Sequence, residues 1–521
     1  MKINIKNTVA TFALAATSVA CTGDFEDINT NPNTSTVGAV KAHTLFEPVL
    51  YGSANEWQEN TWFWNNELIQ FTAFTGGGTR QEHMYYISDQ NWQSIWNGYA
   101  GLANNASHMY DLSVEQDNLP FQAISQTMKV LLLSNLTDMF GDIPYSEAFL
   151  GREGGTTKPK YDSQQAVYEQ MFAELEAANT VYASNPIMES DKRSLDGLFG
   201  GDMAKWQKFN NSIYLRLLCR VSGRSEMNAG TKMAEMLANP ETYPIFTSNE
   251  DNAALFYKGV DPYDNYFTEH TLSSFTSGGR KLTEQFINMT LIADTINEER
   301  VEQYCDPRLP IWGQKAANSV YWKGTVAGCT AEERSTVNYG TSQLNYAVFC
   351  RSEAPTFFMD YAEVQFIFAE AALKGYISGN EEVARSYYEN AITASVEKWA
   401  DLGQYGDTIV AVASEDISLF LASELASWDL NEDHEKLIAE QKHLALFWTS
   451  MEAYHEYRRT GYPELTIGAG TLNDHILPTR FAYPNVSVAT NSANVQEALN
   501  RMNGSNDMKT PLWWSKQAIE E

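Results

Sequence analysis

Basic residues are scarce in this chain. Its 521 residues include 36 Lys and Arg against 66 Asp and Glu, which gives a formal net charge of −30. Because binding to phosphate groups requires clustered Lys and Arg, this balance argues against the wrapping of DNA or RNA. It also argues against a basic patch on an anionic membrane, and it predicts poor affinity for anionic ligands.

Cysteine is scarce as well, with five residues and no CxxC or CxxxC spacing. Neither a zinc site nor a redox motif is therefore indicated. Cys219 falls in an apolar helical pattern and is predicted to be a buried thiol. Cys305, Cys329 and Cys350 lie in a loop-rich region where one pair could form a disulfide, but the spacing selects no pairing.

The usual catalytic signatures are missing: HExxH, GxSxG, GxxxxGK[ST] and a complete GxGxxG do not occur. Adjacent carboxylates such as Glu298 and Glu299 are inevitable in so acidic a chain. A glycosidase needs two carboxylates at a defined distance across a sugar, and adjacency in sequence does not provide that. The residues therefore predict no enzyme, and a surface glycoside hydrolase is the least favoured alternative.

Apart from the first twenty residues, long apolar runs are missing too. Lys2 and Lys6 precede an uncharged stretch at 8–20, which is too short to span a bilayer as a helix. Residues 1–20 are therefore predicted to be a signal peptide. The sequence SVAC at 18–21 resembles a bacterial lipobox, which predicts lipidation of Cys21 with palmitate-type chains and an irregular tether at 21–39.

The body of the chain is predicted to be mainly α-helical. Residues 40–521 form one predicted domain, in which an irregular, loop-rich excursion at about 240–355 interrupts the helices and includes a β-like run at 346–349. Ala384, Tyr388 and Ala391 have the spacing of the second helix of a TPR repeat. Apolar residues recur at helical spacing within 40–110, 121–140, 162–178, 203–221, 360–374, 381–399 and 432–459.

Several segments along the chain carry a family resemblance. They include TGDFEDINTNPN after Cys21, LTDMFGDIPYSEA at 136–148 and LPTRFAYP at 477–484. Further segments in the same order lie at 159–178, 200–223, 306–310, 361–375 and 441–463. Together they cover nearly the whole mature chain, which resembles the SusD/RagB-type outer-membrane lipoproteins.

The resemblance implies a scaffold of TPR-like helix pairs and a lipoprotein anchored in the outer membrane, facing the exterior. It also implies a partner, a SusC-like TonB-dependent transporter barrel, over which the protein acts as a substrate-capturing lid. Members of the family bind oligosaccharides or polysaccharides, or peptides in some branches, and are not enzymes. Peptide cargo with the same lid role is therefore the main alternative to a glycan.

Aromatic residues are plentiful, with 13 Trp, 27 Tyr and 25 Phe. A sugar ring has an apolar face that can lie on an aromatic ring, while its hydroxyl groups need fixed polar partners. Aromatics on loops are therefore the candidate ligand contacts, although packing against the helices is the alternative for each. The candidate residues are Arg80, Tyr85, Tyr86, Tyr263, Asn265, Tyr266, Trp312, Tyr321 and Trp322, with Asn338 and Gln343 as further hydrogen-bonding groups.

No cofactor is expected. A structural Ca²⁺ could bind in an oxygen-rich loop such as Asp261–Asn265, because hard cations prefer clustered carboxylates and carbonyls. No twelve-residue calcium loop is complete in the sequence, so a polar turn is the favoured interpretation.

Overall fold

The structure is a computed structural model that describes residues 40–74, 82–277, 280–296, 299–316, 319–330, 332–337, 340–406 and 408–520. The predicted signal peptide, the tether and Cys21 lie outside the described residues, as do Arg80 and Asn338. Within those ranges, no helix has the length and apolar character needed to cross a membrane.

Helices make up most of the fold. Loops separate the long helices, and short helices occur in the excursion. Each long helix begins or ends within a few residues of a predicted bound. The helices are α1 Phe46–Asn60, α2 Asn66–Leu68, α3 Asp89–Glu115, α4 Leu119–Phe140, α5 Gln164–Ala183, α6 Met203–Arg220, α7 Ala229–Ala238, α8 Glu284–Thr290, α9 Leu309–Trp312, α10 Arg334–Val337, α11 Tyr346–Phe349, α12 Tyr361–Leu373, α13 Glu381–Gly403, α14 Ser414–Ala422, α15 His434–Ala445, α16 Glu452–Thr460, α17 Asn485–Thr490, α18 Ser492–Arg501 and α19 Lys516–Glu520.

The strands are short and mostly belong to the excursion. A four-stranded antiparallel sheet has the order β1-β3-β7-β6, in which Ala73 pairs with Lys281 and Gln343 pairs with both Lys281 and Gln314. Strands β2 and β8 form a second pair, and β4 and β5 a third. The strands are β1 Thr72–Phe74, β2 Ala253–Leu255, β3 Arg280–Leu282, β4 Leu291–Ile296, β5 Glu299–Cys305, β6 Gly313–Gln314, β7 Gln343–Leu344 and β8 Thr356–Met359.

Local sequence explains where the main helices begin and end. Asp202 caps α6 by accepting hydrogen bonds from the backbone N–H groups of Ala204 and Lys205. Asp360 caps α12 in the same way through the N–H of Glu363. Side-chain caps of this kind satisfy N–H groups that have no partner inside the helix. At the C-terminal end of α4, Gly141 has φ +92°, a conformation that favours glycine, and the chain turns there.

Two sequence predictions are corrected by the structure. The single helix predicted at 432–459 is two helices, α15 and α16, because Trp448 and Ser450 between them have φ of +67° and +46°. The predicted β-like run at 346–349 is helix α11, whose end is held by a hydrogen bond from Cys350 N to Tyr346 O of 2.9 Å. Hydrophobic periodicity reveals neither the interruption between α15 and α16 nor the helical state of α11. A short apolar run has a similar pattern in a helix and in a strand.

Neighbouring long helices pack in sequential pairs. Helices α3 and α4 are joined by a short turn and pack along their length, as do α12 and α13. Ala384, Tyr388 and Ala391 of α13 are fully buried, as expected for the close contact of a TPR-like pair. One continuous apolar core extends from the first described helix to Trp514 near the end of the chain.

A network of buried ion pairs crosses this core, and we call it the scaffold network. Arg220 of α6 lies 3.0 Å from Asp138 of α4 and also pairs with Glu452 of α16. Burial raises the pKa of Asp138 to about 6, although Arg220 opposes the shift. The other members of the network are Arg216, Glu363, Glu370, Lys442, Glu456 and Arg459.

The four described cysteines are free thiols. Cys219 is buried between Glu370 and Lys442, in agreement with its predicted burial, and burial raises the pKa of its thiol. The disulfide considered among Cys305, Cys329 and Cys350 is not formed in this structure.

Candidate functional site

Three of the aromatic residues predicted to contact ligand belong to the core instead. Trp312 is fully buried in α9, where its ring lies 4.9 Å from that of Phe447. Trp322 is 4% exposed and Tyr85 is 1% exposed, with the Tyr85 hydroxyl accepting a hydrogen bond from Gln70. Because these rings already pack against protein on their faces, their interpretation as ligand platforms is corrected.

Asn265 has a structural role in the loop that carries it. Its side-chain amide donates to the carbonyl of Ala354 at 2.8 Å, and its side-chain oxygen accepts from the N–H of Phe267 at 2.8 Å. The side chain is 2% exposed. The polar group predicted to bind sugar hydroxyls therefore holds the 260–270 loop against the 350s segment.

The remaining predicted aromatics are accessible, but they are dispersed. Tyr86 is 49% exposed, and Tyr321 is half-buried in a separate segment. Tyr263 is half-buried, with its hydroxyl bonded to Glu47 and the Lys258 ammonium 4.2 Å from its ring centroid. Tyr266, on the same loop, is half-buried and lies edge-on to the buried ring of Phe267 at 5.0 Å.

Tyr266 belongs to a cluster of partly exposed rings and polar groups. Its ring lies 5.9 Å from the imidazole of His270, and the hydroxyl of Tyr346 donates to the backbone carbonyl of His270 at 2.6 Å. The backbone N–H of Asn265 donates to Ser352 O, which places this loop beside Arg351. The Arg351 guanidinium in turn lies 3.4 Å from the ring centroid of Tyr405.

We call the surface formed by Tyr266, His270, Tyr346, Arg351 and Tyr405 the aromatic face. Two of its tyrosine rings are half-buried, and the third, Tyr405, is 43% exposed. Rings that are fixed on one side and accessible on the other can stack on an apolar ligand face at little cost in conformational entropy.

Buried rings hold the aromatic face in place from below. Trp62 stacks on Phe275 with centroids 5.8 Å apart, and its ring is perpendicular to that of His270 at 5.0 Å. Phe275 also contacts Tyr346 at 6.0 Å. The face therefore rests on the rigid core rather than on loops alone, although the loops carry its residues.

An ion pair beneath Trp62 adds to this support. The Arg280 guanidinium lies 4.1 Å from the Trp62 ring centroid, donates to the Trp62 carbonyl at 2.9 Å, and lies 3.5 Å from Glu67. Burial raises the pKa of Glu67 to about 7, against the opposing effect of Arg280. This arrangement is enclosed and structural, and it fixes the aromatic ring that orients His270.

The titratable groups of the aromatic face are neutral or cationic at neutral pH. Burial, with a smaller effect of Arg280, lowers the pKa of His270 below its ordinary value, so its imidazole is neutral. Burial also lowers the pKa of the Arg351 guanidinium, which stays charged because its ordinary value is so high. The face therefore offers a neutral imidazole, phenol hydroxyls and a cation.

Sequence reasoning missed four of the five residues of the aromatic face. Tyr346 was assigned to a β-like run, and Arg351 and His270 carry no motif. Tyr405 lies in the sequence Gly403-Gln404-Tyr405-Gly406, directly after α13. An exposed aromatic beside glycines at a helix end is the signal that marks Tyr405 in the sequence.

Of the remaining polar candidates, Gln343 is the one that the structure describes. Gln343 accepts a hydrogen bond from the Lys281 ammonium at 3.0 Å. In the described part of the chain, no three His, Cys, Asp or Glu side chains are grouped so that they could hold a metal ion. The calcium considered at Asp261–Asn265 stays a prediction.

Two concave regions lie on the helical scaffold, apart from the aromatic face. One cavity of about 530 Å³ is lined by Tyr457, Leu477 and Lys516, between α16 and the C-terminal segment. A wider groove of about 910 Å³ at the start of α13 is lined by Arg385 and His434, among other residues. Neither includes a residue that the sequence predicts to contact ligand.

The comparison with protein families identifies the fold. The family SusD-like_2, described as "Starch-binding associating with outer membrane", matches residues 32–484. The chain belongs to the SusD-like family. No curated relative matches it.

Solved structures of SusD-like proteins have the same fold. A SusD homologue from Parabacteroides distasonis is 21% identical, with a TM-score of 0.75, and the match covers 91% of this chain and 98% of that one. A chitin-binding SusD homologue from Flavobacterium johnsoniae is 22% identical over the same shares, with a TM-score of 0.73. A third structure is from Bacteroides vulgatus and is described as "a putative outer membrane protein, probably involved in nutrient binding". It is 22% identical, with a TM-score of 0.74, and the match covers 92% of this chain and 100% of that one.

These matches confirm the predicted family and the predicted mainly α-helical SusD-like fold. The family description also associates the SusD-like family with the outer membrane and with starch binding. The wide coverage places both the helical scaffold and the excursion within the SusD-like fold.

Proposed function

We propose that this chain is a cell-surface lipoprotein that binds a glycan and acts as the lid of a SusC-like TonB-dependent transporter. The observation that carries the glycan assignment is the aromatic face, which presents three partly exposed tyrosine rings beside hydrogen-bonding groups. The family description and two similarly folded proteins described as chitin-binding support the same class of cargo.

In the proposed binding mode, sugar rings lie on the tyrosines of the aromatic face. The phenol hydroxyls, the His270 imidazole and the Arg351 N–H groups bond to the sugar hydroxyls around the ring edges. The protein positions and releases its cargo without breaking a bond, so it is not an enzyme. Opening and closing over the barrel is a hinge motion of the whole lid.

Isothermal titration of the full chain against neutral, acidic and peptide ligands tests the cargo. Binding of at least one oligosaccharide, with no shortening of that oligosaccharide on prolonged incubation, is the expected result. Binding of peptides alone would replace the glycan with the peptide alternative. Shortened products would contradict the assignment as a binding protein and revive the glycoside hydrolase.

The lid role predicts a stable partner in the membrane. Affinity capture of the tagged protein from detergent-solubilised outer membranes is expected to recover a large TonB-dependent barrel in near-stoichiometric amount. A Cys21→Ala variant is expected to lose labelling by radioactive palmitate and to leave the membrane fraction, because a lipid chain is its proposed anchor. Recovery of no barrel, or unchanged labelling of the variant, would contradict the corresponding part of the proposal.

A further inference from the structure

Arg351 differs from the arginines of the scaffold network in what its guanidinium contacts. Arg216 and Arg220 are surrounded by carboxylates, whereas the Arg351 guanidinium lies against the ring of Tyr405. The Nε of Arg351 is buried and has no hydrogen-bond partner among the described residues, so the terminal N–H groups are the donors left for a ligand. An arginine stacked on a ring is held by its flat face, and its N–H donors lie in the plane, at the edge of that face.

This geometry is suited to a planar or tetrahedral anion. Arginine binds carboxylate and sulfate-like groups through two parallel N–H bonds, and a guanidinium that is already stacked loses little freedom on binding. Tyr405 is 43% exposed, so the Arg351–Tyr405 pair lies at the surface rather than in the core. Ser352, next to Arg351 in the chain, accepts a hydrogen bond from the N–H of Asn265, so the pair lies beside the loop that carries Tyr266.

A second cation lies in the adjoining sheet. The Lys281 ammonium donates to the amide oxygen of Gln343, three residues before Tyr346, and has a half-buried side chain. Burial is what lowers the pKa of Lys281, which stays protonated at neutral pH. Its hydrogen-bond partner is a neutral amide rather than a carboxylate.

The acidic groups near the aromatic face do not cancel these cations. Glu353 attracts Arg351 electrostatically, but it forms no ion pair with it among the described residues and is exposed to solvent, which screens its charge. Glu269 is exposed to solvent, which screens its charge. His270 is neutral, as described above.

From these contacts we propose that the cargo is an acidic oligosaccharide, whose carboxylate or sulfate group is bound by Arg351. This inference rests on the proposed glycan-binding function and names its substrate class. It is opposite to what the net charge of −30 predicts, because that charge is spread over the whole surface. The affinity for an anion depends on the groups within a Debye length of the site, about 10 Å at 0.1 M salt.

Titration of the full chain with three oligosaccharides of equal length tests the inference: one neutral, one of uronic acids and one sulfated. At least one acidic ligand is expected to bind about tenfold more tightly than the neutral one, and its affinity is expected to fall as salt rises from about 0.05 M to about 0.5 M. The carboxylate and sulfate arms show which group Arg351 prefers.

Arg351→Gln is expected to lower affinity for the preferred acidic ligand about tenfold and to leave the neutral ligand within about twofold. Arg351→Lys keeps the charge and is expected to restore part of the loss. Arg385→Gln is the matched control, because Arg385 lies on the scaffold and pairs with Glu389 and Asp429. Its affinities are expected to match those of the unmodified chain.

Each failure has its own meaning. Equal, salt-independent binding of the three oligosaccharides, or unchanged binding by Arg351→Gln, would overturn the acidic class and leave the glycan function standing. Binding of an acidic peptide and of no oligosaccharide would overturn both. Because the salt dependence is measured on the unmodified chain, the inference stays testable even where a variant fails to fold.

Discussion

Arg220 in the helical scaffold and Arg351 in the excursion have different surroundings for the same charged group. Arg220 is enclosed between Asp138 and Glu452, which come from helices distant in sequence. Arg351 contacts the ring of Tyr405 and keeps an Nε without a protein partner in the described chain. Arg220 is neutralised by carboxylates inside the scaffold, whereas Arg351 lies near the surface with no carboxylate paired to it among the described residues.

The largest expected effect comes from breaking the scaffold network. Arg220→Met leaves Asp138 and Glu452 buried without their shared cation, and we expect a loss of about 3–5 kcal/mol in the free energy of unfolding. Urea denaturation measures it. Arg385→Met, at a solvent-accessible ion pair, is expected to cost less than about 1 kcal/mol. Similar losses for both variants would show that the buried network contributes no more to stability than an exposed ion pair does.

A smaller effect is expected at Glu56, a scaffold carboxylate with no paired cation among the described residues. Burial, followed by the charge of Glu59, raises its pKa to about 7. A raised pKa for an acid means that the folded state prefers the neutral form, so stability is lost as pH rises from about 4.5 to about 7.

Glu56→Gln is therefore expected to raise the free energy of unfolding at pH 8 by up to about 3 kcal/mol and to change it little at pH 4. Thermal or urea unfolding at the two pH values measures the difference. Glu432→Gln, at an exposed position, is the matched control. A gain of equal size at both pH values would contradict the assigned cause.

The smallest effect is expected on the aromatic face. Tyr266→Ala removes a partly exposed ring and is expected to lower the affinity for the cargo about tenfold, or about 1.4 kcal/mol, while unfolding changes by less. Tyr387→Ala, a half-buried tyrosine on helix α13, controls for the loss of a ring and is expected to leave affinity unchanged. Equal losses of affinity in both variants would remove the face from the binding site.

The scaffold could be predicted from the sequence because its signals are local. Asp202, Asp360 and Gly141 each mark a helix end through the chemistry of one or two neighbouring residues, and the structure confirms these ends. Similarly, Ala384 and Ala391 indicate a close helix contact that the structure shows as fully buried.

The candidate site could not be predicted to the same extent, because burial of a loop aromatic depends on distant partners. Trp312 and Tyr266 both lie in the loop-rich excursion, yet Trp312 contacts Phe447 of the scaffold and Tyr266 lies at the surface. Tyr346 contacts His270, and Arg351 contacts Tyr405, across about 50 to 80 residues of sequence. No spacing rule encodes such contacts.

The scaffold network also determines how the chain can be divided. Asp138, Arg220 and Glu452 are joined in one cluster, and the ring of Trp514 lies 5.4 Å from the Arg220 guanidinium. A fragment that stops before Glu452 would keep two arginines in an apolar interior with too few counter-charges. Limited proteolysis should therefore leave either the intact body or small peptides, because cooperative unfolding of the whole unit is the route by which a protease reaches the inner helices.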